Sequence, residues 1–261
     1  MIYRDYVDTS AGQVHYRYAG DKTSPVVVLL HQAPSNSAMF ELLMAALQDE
    51  YFLIAPDFPG FGLSDPLVGA LSIEALTDVI LLALDALNIQ SITVFGHHTG
   101  TCLAVQVAAR RPQQVAKVVL SGPALLTDEI REILPSLAAP IPPTDDGSYL
   151  HAMWDRISAK DPDADASLIQ REVLQALELG PVYQQTYQAV CDYDFSSALS
   201  RLVCPVLVFA GTEDLLHSRL DDTLAILADG HKAEIVGART YVCERNADQV
   251  GALIRDFIVK D

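Results

Sequence analysis

The sequence predicts an α/β protein whose mostly parallel central sheet is flanked by helices and interrupted by a helical cap. Short β-branched apolar runs recur along the chain, and amphipathic helical patterns separate each run from the next. One aromatic-rich stretch lacks such runs and indicates the cap. Strands and helices in regular alternation are typical of a parallel sheet that is covered on both faces.

The individual elements follow from these patterns. We expect strands at residues 13–20, 24–30, 51–57, 91–96, 115–122, 204–211 and, from a weaker pattern, 232–237. Helical patterns in the core cover residues 37–48, 71–89, 101–111, 221–230 and 247–260. The run "VVVLL", residues 26–30, has the continuous apolar character of a central strand that is buried on both faces.

The alternation stops between Gly122 and Cys204. The intervening segment has proline-rich and helical patterns and carries the single tryptophan, Trp154. We therefore divide the chain into a core of residues 1–122 and 203–261 and a cap of residues 123–202. Because ligands of such sheets bind at the carboxyl ends of the strands, we expect the cap to form a lid over the substrate site. The alternative is that its aromatic side chains form only the core of a second small layer.

Composition and charge narrow the classes of partner. The 261 residues include 34 acidic and 17 basic side chains, a formal net charge of -17. This charge repels nucleic acids and anionic membrane surfaces, so we expect neither as a partner. The first residues lack the apolar core of a signal peptide, and no run approaches the roughly 18 to 20 residues of a membrane span. We expect a cytoplasmic protein that acts on a small molecule, and the sequence carries no signal of its oligomeric state.

Neither a metal nor an organic cofactor is expected. The cysteines have scattered spacings without C-x-x-C, which is typical of reduced thiols; they are Cys102, Cys191, Cys204 and Cys243. No two histidines have the H-x-x-x-H spacing of a helical zinc site. No G-x-G-x-x-G follows a predicted strand, so no nucleotide cofactor is implied.

The stretch "FGHHTG", residues 95–100, joins a predicted strand to a predicted helix. Gly96, His98 and Gly100 occupy the fixed places of G-x-nucleophile-x-G, a strained turn that presents its central residue at the tip of the strand. That residue is a serine in many hydrolases, and here it is a histidine. We expect the amide of the next residue, Thr99, to point into the same cavity.

Four separated motifs make the chain resemble the α/β-hydrolase fold superfamily over essentially its full length. They are "LLHQAPSNS" (29–37), "APDFPGFGLSD" (55–65), "FGHHTG" (95–100) and "CPVLVFAGTEDLLH" (204–217). They resemble, in turn, the oxyanion loop of this family, its D-x-x-G-x-G-x-S loop, its nucleophile elbow and the turn that supplies its triad acid. Because all four occur in the family's order, the resemblance implies the α/β-hydrolase fold with a cap.

The resemblance also implies roles for single residues. It makes Asp214 the triad acid and puts Thr240 where the family has its catalytic histidine. The amides of Ala33 and Thr99 correspond to the two oxyanion-hole donors. Gln32 replaces a glycine there and either reaches in as a further donor or lies on the surface. The chain therefore has a histidine where the nucleophile belongs and none where the base belongs.

This departure changes what the elbow residue can do. The imidazole of His98 is longer than a serine side chain and can bond Asp214 directly, or through Thr240 or a water. The N-terminus of the following helix disfavours the charged imidazolium, and Asp214 favours it. Because the two effects oppose each other, we expect a pKa near neutrality, which suits a general base. We therefore expect His98 to be a general base, with a covalent acyl-imidazole as the less favoured alternative.

Four further residues are candidates for the substrate pocket: His97, His151, Trp154 and His217. His97 directly precedes the elbow residue. His151 and Trp154 belong to the cap and could face the site from there. His217 lies three residues beyond Asp214 and could be a second base.

The motifs predict a hydrolase, or a hydrolase-like lyase, of a small apolar carbonyl compound such as an ester, a lactone or a diketone. The loop "HQAPSNS" also resembles that of haloalkane dehalogenases and epoxide hydrolases, which need an elbow aspartate that is absent here. The alternative is a degenerate hydrolase that binds a small ligand without turnover. His98→Ala separates the two, because it abolishes turnover in the first case and only changes affinity in the second.

Overall fold

The computed structural model describes residues 1–259 and confirms the predicted fold class. Its strands are β1 Tyr3–Thr9, β2 Gly12–Ala19, β3 Val26–Leu30, β4 Phe52–Pro56, β5 Ile92–His97, β6 Val115–Ser121, β7 Val206–Gly211 and β8 Gly230–Ile235. They form one sheet in the order β1-β2-β4-β3-β5-β6-β7-β8. The β1–β2 and β2–β4 pairs are antiparallel, and the other pairs are parallel. Residues 260–261, where the predicted last helix and core segment end, lie outside the described part.

Helices cover both faces of this sheet. They are α1 Glu41–Leu47, α2 Ile73–Ala86, α3 Thr99–Arg110, α4 Asp128–Leu137, α5 Ser148–Ser158, α6 Ala166–Leu179, α7 Pro181–Asp192, α8 Phe195–Leu199, α9 Leu220–Leu224, α10 Val242–Arg245 and α11 Ala247–Val259. Within residues 1–259, no helix combines the length and the apolar character needed to cross a membrane.

The central strands are buried on both faces, as their continuous apolar runs predict. In β3, Val28 and Leu30 belong to the same apolar cluster as α2 and α3. Val27 and Leu29 point to the opposite face and pack in a cluster with α1 and α11. Because successive side chains of a strand alternate between faces, a strand covered on both sides needs apolar residues at every position.

Two parts of the backbone differ from the sequence-based expectation. β1 was not expected, because nearly all of its side chains are exposed and polar; it forms by pairing with β2 along the sheet edge. The helix expected at residues 221–230 ends at Leu224. Residues 225–229 form a turn and a bend instead, and the carbonyl of Asp229 accepts a hydrogen bond from the amide of Val206 at 2.9 Å, which joins this segment to the start of β7.

Residues 123–202, hereafter the cap segment, connect β6 to β7 and contain α4 to α8. A buried glutamate on α6, Glu172, accepts a hydrogen bond from the Ser35 hydroxyl at 3.0 Å. The guanidinium of Arg171 also contacts Glu244 in α10. These polar contacts join the cap segment to the loop after β3 and to the end of the core. The division of the chain into core and lid stays a prediction.

The parallel register brings the ends of three strands together. His97 at the end of β5 pairs with Ser121 of β6, and Ser121 pairs with Phe209 of β7. The residues that follow β5, β6 and β7 therefore meet at one edge of the sheet. The candidate site lies at this edge.

Candidate active site

The elbow between β5 and α3 holds His98 in a strained conformation. Its φ of 47° and ψ of -111° lie in a region that residues with a side chain rarely adopt. The amide of His98 donates to the carbonyl of Ser121 at 2.9 Å, which fixes the turn to β6. A Cβ atom on Gly100 would lie 2.0 Å from the carbonyl oxygen of Leu30, so only glycine allows α3 to pack this closely on β3.

The imidazole of His98 contacts Asp214 directly. Its Nε2 atom lies 2.8 Å from Oδ2 of Asp214, three residues beyond the end of β7. The side chain of Asp214 is 2% exposed and that of His98 is 19% exposed, so the pair is largely shielded from water. Because a carboxylate only accepts, Nε2 carries the proton that faces Asp214, which in the neutral imidazole leaves the lone pair on Nδ1. Of the three routes expected from the sequence, the structure has the direct one.

The negative charge of Asp214 is well supported. Burial alone would raise the pKa of this carboxyl, but the neighbouring His98 and the amide of Leu216 lower it to about 2. The Leu216 amide donates to Oδ1 at 2.8 Å, opposite the oxygen that faces His98. Asp214 is therefore ionised over the pH range in which an imidazole exchanges its proton.

Gly122, the first residue after β6, leaves room for the histidine. A Cβ atom at this position would lie 2.4 Å from Cδ2 and 2.6 Å from Nε2 of His98. Its φ of 61° is also one that glycine adopts readily. The imidazole thus crosses the end of β6 over a residue without a side chain.

The two amides assigned to an oxyanion hole are available. Ala33 and Thr99 are both buried, and neither amide has a hydrogen-bond partner in the described part of the chain. Thr99 is the first residue of α3, where amides have no acceptor within the helix. Two buried amides without acceptors, one of them directly after the elbow residue, are suited to the role of oxyanion donors.

Gln32 and Thr240 contact each other rather than the His98–Asp214 pair. The Thr240 hydroxyl donates to Oε1 of Gln32 at 3.4 Å. Gln32 is only 2% exposed, so it does not lie on the surface. Its Nε2 atom is buried and has no partner among residues 1–259, which leaves a free donor beside the oxyanion loop.

His97 lies below His98 and not in an open pocket. It is 1% exposed; Nε2 donates to the carbonyl of Thr240 at 2.8 Å, and Nδ1 accepts from the Ser121 hydroxyl at 2.9 Å. Burial and the adjacent His98 lower the pKa of His97 to about 3, so it is neutral. The residue ties the loop that carries Thr240 to the elbow, which corrects the pocket placement expected from the sequence.

The other pocket candidates lie elsewhere. His151 and Trp154 are exposed, because α5 buries the face that carries Met153 and Ile157. His217 turns toward β8, where its Nε2 atom lies 3.1 Å from Glu234. None of the three is brought to the elbow.

Other side chains of the cap segment, which the sequence did not single out, reach the oxyanion loop. The Tyr187 hydroxyl lies 3.5 Å from the carbonyl of Ala33. Lys160 donates to the Tyr183 hydroxyl at 2.9 Å. Tyr183 and Tyr187 were two of four cap tyrosines whose sequence patterns do not distinguish them, and only the packing of α7 selects them.

Two small cavities have volumes of about 30 Å³ and 60 Å³, and His98 lines neither. Within residues 1–259, no three His, Cys, Asp or Glu side chains gather as metal ligands would. The cysteines Cys102, Cys191, Cys204 and Cys243 are all free thiols.

Known proteins resemble this chain over part of its sequence. An uncharacterised hydrolase of Saccharomyces cerevisiae is 32% identical over 108 residues, which are 41% of this chain and 37% of that protein. Haloalkane dehalogenase 2 of Mycobacterium tuberculosis is 33% identical over 118 residues, which are 45% of this chain and 41% of the dehalogenase. The matches thus span about two fifths of the length of these curated relatives.

The fold is shared more widely. The crystal structure of the enol-lactonase from Burkholderia xenovorans has a TM-score of 0.82 at 22% identity, over 98% of this chain and 100% of the lactonase. At this identity the likeness shows the fold alone. Residues 25–219 match the family model for the alpha/beta hydrolase fold, which covers most of the chain. The chain therefore belongs to the alpha/beta hydrolase fold family.

Proposed function

We propose that this protein hydrolyses a small carbonyl compound, an ester, a lactone or the C–C bond of a diketone, with His98 as general base. The observation that carries the proposal is the 2.8 Å contact between Nε2 of His98 and Asp214. In a serine hydrolase the elbow residue needs a separate histidine to reach the acid. Here the elbow residue is that histidine, so one side chain takes both positions.

The reaction follows from the protonation of the pair. Asp214 holds the proton on Nε2, and Nδ1 of His98 accepts a proton from water as the water oxygen attacks the carbonyl carbon. The carbonyl electron pair moves to oxygen, and the amides of Ala33 and Thr99 stabilise this oxyanion. The tetrahedral intermediate collapses, the leaving group takes the proton from Nδ1, and the acid and alcohol products account for all atoms of the ester and water.

The same geometry disfavours His98 as a nucleophile. An acyl group on Nδ1 would occupy the lone pair that has to activate the attacking water. His97 could not replace it, because both of its ring nitrogens are engaged. We therefore expect no acyl-enzyme, and intact-protein mass spectrometry after rapid quenching should find no mass increase on His98.

A protein that binds a ligand without turnover is the second candidate. It is favoured by Thr240, which stands where the family resemblance implies a base and bonds Gln32 instead of Asp214. In this case His98 and Asp214 would bond a ligand but transfer no proton. Turnover distinguishes this function from the first.

The test is the hydrolysis of p-nitrophenyl esters from acetyl to hexanoyl between pH 5 and 9. Wild-type protein is compared with His98→Ala and with His231→Ala, which changes an exposed histidine at the opposite end of the sheet. We expect saturable turnover above the free-imidazole background, unchanged in His231→Ala and lowered about 10²- to 10⁴-fold in His98→Ala. Equal turnover in His98→Ala would refute its role, and no turnover in any variant would favour ligand binding.

A further inference from the structure

The ammonium group of Lys160, in the cap segment, lies close to the oxyanion loop. Its Nζ atom lies 2.9 Å from the hydroxyl of Tyr183 and 3.4 Å from that of Tyr187. The Tyr187 hydroxyl in turn lies 3.5 Å from the carbonyl of Ala33. Only one phenol therefore separates the ammonium from the loop that supplies an oxyanion-hole amide.

The position of Lys160 is fixed by the residue that follows it. Asp161 is 1% exposed and accepts two hydrogen bonds from Nη1 of Arg245, at 2.9 Å and 2.8 Å. This ion pair ties the turn after α5 to the last residue of α10. The lysine is thus held against the core and is not a free surface side chain.

Lys160 has no counter-charge in the described part of the chain. No carboxylate oxygen of residues 1–259 lies within 4.0 Å of its Nζ atom. The cap and core arginines beside it do have such partners: Arg171 pairs with Glu172 at 2.7 Å, and Arg245 pairs with Asp161. Burying an ammonium among phenols costs desolvation free energy, and an ion pair with an anion offsets this cost.

Two buried donors also have no acceptor among residues 1–259. They are the Tyr241 hydroxyl and Nε2 of Gln32, and both residues are at most 2% exposed. Burial raises the pKa of the Tyr241 hydroxyl, and the positive charge of Lys160 opposes this rise. Gln32 adjoins the same loop residue, Ala33, that Tyr187 contacts. An anionic oxygen of a ligand is an acceptor that each of these three donors can bind.

The acidic side chains of this region do not cancel the charge of Lys160. Glu172 and Glu244 also face Tyr241, but both contact Arg171. Burial raises the pKa of Glu244 to about 8, although Arg171 opposes it, so this carboxyl is largely neutral at pH 7. Arg171 is thus the partner of both carboxyl groups, and neither of them lies within 4.0 Å of the Lys160 ammonium.

We infer that Lys160, Tyr241 and Gln32 form a subsite for a carboxylate carried by the substrate. One ammonium matches the single charge of a carboxylate, and the two neutral donors match its remaining lone pairs. The inference rests on the proposed function, since it makes the substrate an ester, lactone or diketone with a free carboxylate. It also explains how a chain with a net charge of -17 could bind an anion.

The test compares two esters that differ in charge and match in length: the p-nitrophenyl half-ester of adipic acid and p-nitrophenyl hexanoate. We expect wild-type kcat/KM to favour the half-ester about tenfold or more, and Lys160→Met to abolish this preference, so that the ratio of kcat/KM for the two esters falls to about one. Lys160→Arg should restore part of the preference. The matched control is Lys22→Met, since Lys22 is exposed and lies over the Tyr18 ring, far along the sheet.

Binding separates a failure of this inference from a failure of the proposed function. Hexanoate and its uncharged counterpart hexanamide are compared by ligand-observed NMR with wild-type protein and Lys160→Met. If no ester is hydrolysed but hexanoate binds and Lys160→Met weakens it about tenfold, the subsite stands and the hydrolase proposal falls. If both esters are hydrolysed equally, or if hexanoate binds no better than hexanamide, the subsite is refuted. A loss of thermal stability in Lys160→Met without a change in preference would show a structural role alone.

Discussion

Nε2 of His98 lies 2.8 Å from Oδ2 of Asp214, so the residue at the tip of β5 contacts the acid that follows β7. β6 lies between these two strands, and the contact forms only because Gly122 at its end has no side chain. The site therefore depends on three consecutive strands of the sheet. Two side chains and one glycine, one after each of these strands, form the contact.

The first prediction concerns the coupling of His98 and Asp214. Because Asp214 acts only by holding the proton on Nε2 of His98, His98→Ala and Asp214→Ala should each lower kcat for the best ester, and the double variant should fall no further. Asp214→Asn should retain part of the activity, since its amide oxygen still accepts from Nε2. Steady-state kinetics of the four variants check this. If the fold-decrease in kcat of the double variant equals the product of the two single decreases, the residues act separately.

The second prediction concerns Gly122. A methyl group there would overlap Cδ2 and Nε2 of His98, so Gly122→Ala should displace the imidazole from Asp214 and lower kcat at least about tenfold. The control is Gly147→Ala, because Gly147 has a similar φ of 73° but no atom within 4 Å of its added Cβ. Both variants should lose about 1 kcal/mol of stability from backbone strain. Equal activity in the two variants would contradict the role of Gly122.

The backbone was largely predictable because burial leaves a strong pattern in the sequence. The continuous apolar runs of β3 to β7 come from strands covered on both faces. β1 has no such pattern, since only Val7 is buried and the rest of the strand faces solvent at the sheet edge. Its formation depends on pairing with β2, which no local pattern records.

The geometry of the candidate site was predictable only for residues that belong to a motif. His98, Asp214, Ala33 and Thr99 belong to motifs with a fixed order along the chain. The role of His97 depends on the carbonyl of Thr240, which is 143 residues away in the chain. The residues of the cap segment beside the site reach it through helix packing and leave no signal in a single sequence.

The third prediction concerns stability in acid. Burial lowers the pKa of His97 from 6.5 to about 3, so between these pH values the unfolded chain binds a proton that the native protein does not. Stability should therefore fall as the pH drops below 6.5, by about 1.4 kcal/mol per pH unit for this group. His31, with its pKa lowered by burial to about 4, adds to the same trend.

Urea unfolding of wild-type protein and His97→Gln between pH 4 and 7 measures this effect. The variant loses the titrating group, so its stability should depend less steeply on pH, although it is less stable at pH 7 because two buried hydrogen bonds change. His151→Gln replaces an exposed histidine and serves as the control. Equal slopes in wild type and His97→Gln would show that His97 is not held neutral.

The fourth prediction concerns Glu244 and the loss of stability as the pH rises. Burial raises the pKa of this carboxyl from 4.5 to about 8, even though Arg171 opposes the rise. Between these values the native protein keeps a proton that the unfolded chain has released, so stability should fall as the pH rises from 4.5 to about 8. Its magnitude is about 1.4 kcal/mol per pH unit for one group. Glu244→Gln keeps an acceptor for Arg171 but cannot ionise, so it should remove this fall.

Thermal unfolding of wild type and Glu244→Gln at pH 5 and at pH 8 tests the prediction. The two proteins should be similar at pH 5, and the variant should be the more stable at pH 8, because only the wild type then has to ionise a buried carboxyl. Glu132→Gln, which changes an exposed glutamate of α4, is the matched control and should follow the wild type at both pH values. A variant that is less stable than the wild type at pH 8 would mean that Glu244 is ionised and held by Arg171. In that case the acidic side chains beside Lys160 would carry a net negative charge, and the carboxylate subsite would lose one of its supports.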